Sequence, residues 1–158
     1  MSILHCEMNH EQVSSMGLQT LPVEEIGTLM PTIRILVVED FVQFQEFICS
    51  LLKKRSESEI IGVVSDGLEA VRKAEQLKPD LILLDIGLPS LNGIEAARQI
   101  RKLSPTSKIV FLTQDCSPDL VQEALDLGAW GYVGKFRAGT DLLPAIEAVM
   151  LEKQFVST

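Results

Sequence analysis

At 158 residues and 46% hydrophobic content, the chain suits one domain with a sizeable core and is too apolar for wholesale disorder. A formal net charge of −8 and a pI near 4.7 argue against direct nucleic-acid binding, which needs a basic face to meet phosphates. No apolar run approaches the roughly 18 residues of a membrane span, and the first residues lack the basic start and apolar core of a secretory signal.

Cys6, Cys49 and Cys116 are odd in number and widely spaced, so no disulfide framework is implied and a reduced, cytoplasmic setting is expected. Residues 1–31 carry no sustained period and end in Met30-Pro31, which favours an extended boundary. They are expected to form a flexible extension, with a domain over 32–158. His5, Cys6 and His10 match no standard metal-site spacing.

From Ile33 a regular alternation begins. IRILVV (33–38) reads as a buried strand, and Phe44, Phe47, Ile48 and Leu51 mark the apolar face of a helix over 41–54. EIIGVV (59–64) is the second strand, followed by a helix carrying Ala70, Val71, Ala74 and Leu77 and stopped by Pro79. DLILL (80–84) is the third strand, and NGIEAARQIRKL (92–103) a helix with Ile94, Ala97 and Ile100 inward.

KIVFLT (108–113) forms the fourth strand, before a helix with Pro118 in its first turn and Gly128 at its stop. WGYVGK (130–135) is the fifth strand. The last helix, GTDLLPAIEAVMLEK, is expected to start at a Thr140 or Asp141 cap, which would keep Pro144 within the first turn. Strands alternating with helices, and apolar throughout, predict an α/β fold: a doubly wound five-stranded parallel sheet covered on both faces.

In such sheets the ligand crevice lies outside the carboxyl ends of the strands. Glu39 and Asp40 follow the first strand, Asp85 the third, Thr113 ends the fourth and Lys135 the fifth. Parallel strands bring these ends to one edge. Three carboxylates gathered there repel one another, and a hard divalent cation such as Mg²⁺ relieves that cost. A carboxylate beside such an ion can attack a phosphoryl donor, with Lys135 and Thr113 placed to contact the transferred oxygens.

The motifs VVED, LILLDIGLP, FLT and GYVGK, in that order, resemble the receiver domain of two-component response regulators over about residues 33–155. DIGLPSLNGIEAARQIR looks most like receivers that precede LuxR-type DNA-binding domains. The resemblance implies a flavodoxin-like strand order 2-1-3-4-5. It implies Asp85 as phosphoacceptor, and Mg²⁺ held by Glu39, Asp40, Asp85 and the backbone carbonyl of Gly87. Thr113 would be the switch hydroxyl, Lys135 the bridging cation, and Tyr132 the aromatic whose rotamer reports the state.

A histidine kinase or phosphotransfer protein would be the donor. A downstream protein, or a second copy of the chain, would read the surface of the fourth helix, fifth strand and fifth helix. Two positions depart from the family's usual pattern. Phe136 stands where a cis-proline often follows the lysine, and the bulky Gln114 where a small residue often follows the threonine.

Blander readings exist for each residue. Asp85 could be a turn residue, the acidic pair a helix cap, Thr113 a strand-end hydroxyl, Lys135 a solvated lysine and Tyr132 plain packing. Trp130 is expected to be partly buried. GAWGYVGKF is not a phosphate loop, since Phe136 stands where Ser or Thr would be needed.

Competing functions are a phosphorylation-independent binding scaffold and an aspartyl-nucleophile phosphohydrolase. The latter needs a second acid at position 87, which is glycine. Only QFVST follows the last predicted helix, so either a stand-alone receiver or a fragment of a transcription regulator is expected.

Overall fold

A computed structural model describes residues 31–158. The expected extension over 1–31, with His5, Cys6 and His10, lies almost wholly outside those residues. Among the described residues the order is β1 (Ile33–Val38), α1 (Val42–Lys53), β2 (Ser58–Val64), α2 (Gly67–Leu77), β3 (Leu81–Asp85) and α3 (Gly93–Leu103). Next come β4 (Lys108–Thr113), α4 (Pro118–Asp126), β5 (Gly131–Gly134), a 3₁₀ turn (Lys135–Arg137), α5 (Ala138–Met150) and β6 (Phe155–Ser157).

All strand pairs are parallel, in the order β2-β1-β3-β4-β5-β6. The expected 2-1-3-4-5 order is present, and β6 extends it beyond β5. The sheet is buried on two sides, because alternate residues of each strand face opposite helix layers. Leu36 and Val38 meet the layer of α2, α3 and α4, while Ile35 and Val37 meet that of α1 and α5. Strand order reverses beside β1, so the crevice between the ends of β1 and β3 is where such a sheet opens to a ligand.

Local chemistry sets the helix starts. Asp66 and Asn92 accept the Glu69 and Glu95 amides at 2.7 and 3.0 Å, as N-caps do. Gly128 closes the turn after α4 at φ +100°, a conformation costly for residues with a Cβ.

Three expectations need correction. A sixth strand exists where only a tail was foreseen, because a three-residue strand is too short to carry a period. Neither Thr140 nor Asp141 caps the last helix, since the backbone is already helical from Ala138 and Thr140 Oγ1 instead donates to the Arg137 carbonyl at 3.2 Å. Pro144 therefore lies inside α5. It is exposed there, so the carbonyl of Thr140 that it leaves without an amide donor can turn to water.

Gly93 ties the fold to the site. A Cβ there would stand 2.1 Å from the main-chain oxygen of Asp85, so α3 starts against the backbone of the β3 tip. Gly93→Ala should cost about 1–3 kcal/mol, the usual toll of overpacking against an unyielding neighbour. Urea unfolding checks this, and an unchanged midpoint would mean that the start of α3 shifts freely.

Candidate functional site

The strand ends bring five predicted side chains to one cavity. Its volume is about 610 Å³, and Glu39, Asp40, Asp85, Thr113 and Lys135 all line it. Gly87 and Gln114 border it as well. Carboxylate oxygens of Glu39, Asp40 and Asp85 lie within 4.8 Å of one another.

Lys135 stands at the centre. Its Nζ is 2.8 Å from Glu39 Oε2, 3.0 Å from Glu39 Oε1 and 3.3 Å from Asp85 Oδ2. Only the Oε1 contact has hydrogen-bonding geometry, so the buried Oε2 is ion-paired with the ammonium but makes no hydrogen bond. Glu39 is 1% exposed, Asp85 5% and Thr113 4%, whereas Asp40 reaches solvent.

Burial pushes the Glu39 carboxyl above its ordinary value. The hydrogen bond from Lys135 opposes that shift, and the Asp85 charge adds to it. Three carboxylates against one ammonium leave a formal excess of negative charge. That excess, with an Oε2 that makes no hydrogen bond, suits a small hard cation with oxygen preference.

The bland readings correspond to local bonds that are present. Asp85 Oδ1 does accept a turn hydrogen bond from the Gly87 amide at 3.3 Å, while Oδ2 faces Lys135. Glu39 Oε1 accepts the Phe41 amide at 3.1 Å at the entry to α1. Thr113 Oγ1 accepts the Asp115 amide at 3.2 Å, which leaves its own proton free to donate elsewhere.

Tyr132 is fully buried, and its hydroxyl donates to the Asp115 carbonyl. Its ionisation is displaced upward, chiefly by burial, then by Cys116 and Asp115. The Lys135–Phe136 bond is trans, as are all described peptide bonds. Trp130 is half-buried, with Lys108 Nζ 4.7 Å from its ring centroid.

Sequence reasoning missed an aromatic wall. Phe44 places its ring 4.8 Å from Lys135 Nζ, a cation–π contact that helps hold the ammonium over the carboxylates. Phe41 and Phe136 line the mouth, Phe136 with 88% exposure. Phe44 was legible only as part of an apolar helix face, since nothing local to it announces a lysine from the far end of the domain.

The chain has known relatives. Residues 35–147 match the family described as the response regulator receiver domain, and the chain belongs to that family. Response regulator protein VraR of Staphylococcus aureus is 37% identical over 115 residues, covering 73% of this chain and 55% of that protein. The chain thus spans about half the length of the curated relatives it matches.

Among solved structures, a LuxR-family two-component response regulator from Aurantimonas sp. SI85-9A1 aligns with a TM-score of 0.75 at 31% identity. The alignment covers 78% of this chain and 89% of that one. The response regulator domain of Thermotoga maritima CheB gives 0.71 at 30% identity, over 76% and 97% of the two chains. The chain is therefore a receiver domain of the two-component signalling class, and its relatives include LuxR-type regulators.

Removing the ammonium tests the electrostatics. In Lys135→Met the Glu39 carboxyl should be raised further. A raised carboxyl contributes its full stability below the unfolded value of 4.5, and loses it as pH climbs through the folded value. The variant should therefore lose more stability than the parent between acid and neutral pH, and Mg²⁺ should recover much of the loss. Thermal melts with and without Mg²⁺ measure this. Parallel curves for the two proteins would refute it.

Proposed function

We propose that Asp85 is the phosphoacceptor of this receiver, taking a phosphoryl group from a histidine kinase or phosphotransfer protein. The observation that carries the reading is the Lys135 ammonium, which faces the Glu39 and Asp85 carboxylates within one cavity that Asp40 and Thr113 also line. Mg²⁺ would be held by Glu39, Asp40, Asp85 and the Gly87 carbonyl, and when bound would supply charge neutralisation for the incoming phosphoryl oxygens.

The protein's own groups do the rest. A carboxylate oxygen of Asp85 forms the new bond to phosphorus while the bond from phosphorus to the donor imidazole breaks, and the imidazole regains a proton. Lys135 offsets charge on the equatorial oxygens, and the free proton of Thr113 donates to one of them. Phe41, Phe44 and Phe136 line the cavity as its apolar side.

The product adds roughly 1.5 to 2 negative charges beside Lys135. A full reversal of a 1:99 equilibrium needs about 5.5 kcal/mol of differential binding, and this combination of charge and hydrogen bonds is suited to supply much of it. We assign the readout to the surface of α4, β5 and α5, for a protein partner or a second copy of the chain. The role is regulatory, with self-catalysed acceptance and slow hydrolysis as its only chemistry.

The acidic balance favours protein contacts over direct nucleic-acid contacts by this chain. No described helix is long and apolar enough to cross a membrane, in keeping with a cytoplasmic role. Gly87 supplies no second acid, which disfavours the phosphohydrolase, and the intact set of site groups disfavours a phosphorylation-independent scaffold.

Incubation with a small acyl phosphate and Mg²⁺ should yield one base-labile phosphoryl adduct by intact mass, absent from Asp85→Asn. An adduct on another residue, or one formed without Mg²⁺, would overturn the assignment. Gln114 borders the cavity from its exposed rim, where its side chain would narrow the approach of water. Gln114→Ala should shorten the phosphoryl lifetime several-fold, and equal hydrolysis rates would remove that role.

A further inference from the structure

β6 lies on the side of the domain where two of the phosphoryl-contacting groups are held. It pairs with β5 in the register Gly131↔Phe155, Tyr132↔Val156 and Val133↔Ser157. The Phe155 amide donates to the Trp130 carbonyl at 3.1 Å, and the period of a parallel ladder makes Ser157 the next donor. Phe155 packs into the cluster under α5, while Val156, 46% exposed, covers the edge beside Tyr132.

Two routes lead from this strand to the cavity. On one, Tyr132 donates to the Asp115 carbonyl, and the Asp115 amide donates to Thr113 Oγ1 at 3.2 Å. On the other, Arg137 Nε, in the turn that carries Lys135, donates to Ser157 Oγ at 2.9 Å and to Asp141 Oδ2 at 2.8 Å. Ser157 Oγ itself bonds Asp141 Oδ2.

The bonds from Ser157 and Arg137 are the main cause that holds the Asp141 carboxyl at about 2, below the usual 3.8, so it stays ionised as their acceptor. Gly134 lies between the two routes. A methyl built there would stand 3.0 Å from Cys116 Sγ, in the loop after Thr113, and 3.7 Å from the Ser157 carbonyl.

We propose that β6 is a positioning element for phosphoryl binding: zipped to β5 and anchored by Ser157, it holds the Thr113 loop and the Lys135 turn in the arrangement that receives the anion. The inference rests on the reading of Asp85 as phosphoacceptor. Two chemical halves of the site separate it from general stabilisation. Glu39, Asp40 and Asp85 stand at the ends of β1 and β3, remote from β6 in strand order, whereas Thr113 and Lys135 stand at the ends of β4 and β5. Loosening β6 should weaken the anion half and spare the metal half.

The test uses the full 158-residue chain. Parent, Ser157→Pro and Ser157→Ala are titrated with Mg²⁺ alone, then with beryllium fluoride at saturating Mg²⁺. Ser157→Pro removes a ladder donor and the side-chain anchor, and should weaken beryllium fluoride binding about fivefold or more while Mg²⁺ affinity stays within about twofold. Ser157→Ala keeps the ladder and should show a smaller loss in the same direction, which decides the matter if the proline variant does not fold.

Equal anion affinity in parent and variants overturns the role of β6. So does a parallel fall in Mg²⁺ and anion binding, which would mark β6 as plain structural support. Failure of the parent to bind beryllium fluoride at all would overturn the phosphoacceptor reading itself, and the role of β6 with it.

Discussion

The contact of Lys135 with Glu39 and Asp85 is the constraint around which the domain is arranged. It joins positions 96 residues apart in the chain, inside a pocket where Glu39 has almost no access to water. Buried carboxylates are expensive, and a buried ion pair is often no more stable than apolar residues of the same shape. Such a cluster is therefore poorly explained by stability. It is in keeping with the phosphoacceptor reading proposed above, in which the pocket would take up a cation and an anion.

Holding that cluster requires the parallel sheet. Hairpins would send alternate strand ends to opposite edges of the sheet, whereas right-handed crossovers return every strand in the same direction. The two helix layers then seal the faces and leave the carboxyl ends open, so the groups at those tips have only one another and the cavity to meet. Order along the sheet also sorts the chemistry. The acids stand at the ends of β1 and β3, and the hydroxyl and ammonium at the ends of β4 and β5. The acids and the pair of hydroxyl and ammonium thus stand on neighbouring but separate strands.

Much of this was legible in the chain itself. Apolar runs such as ILVV and LILL carry no polar alternation, which is how a strand buried on both faces reads, and each ends on a group that such a strand has no reason to place there. Asp85, Thr113 and Lys135 stood out for that reason, and the structure brings them to one cavity. What failed was short or depended on distant partners. Phe155–Ser157 is too brief to show a period, and it becomes a strand only because the β5 edge is there to pair with. Pro144 suggested a late helix start, but Lys135–Arg137 had already turned the chain, so the proline falls where an exposed helix tolerates it. Phe44 as a seat for an ammonium depends on α1 and the end of β5 being neighbours, which no local pattern encodes.

The local hydrogen bonds of the site groups are what make them usable. Asp85 holds the Gly87 amide with one oxygen and presents the other to Lys135. Thr113 receives the Asp115 amide on its oxygen, so its rotor is set while its proton remains available. Glu39 receives the Phe41 amide and the Lys135 ammonium on Oε1, while Oε2 faces the same ammonium without a hydrogen bond. In each case one bond fixes orientation and one capacity is left over, which is the condition for preorganised electrostatics: little is left to reorganise when charge arrives. A turn residue, a carboxylate bonded at a helix entry and a strand-end hydroxyl are thus not alternatives to a site. Each supplies the rigidity that the other half of the same side chain needs.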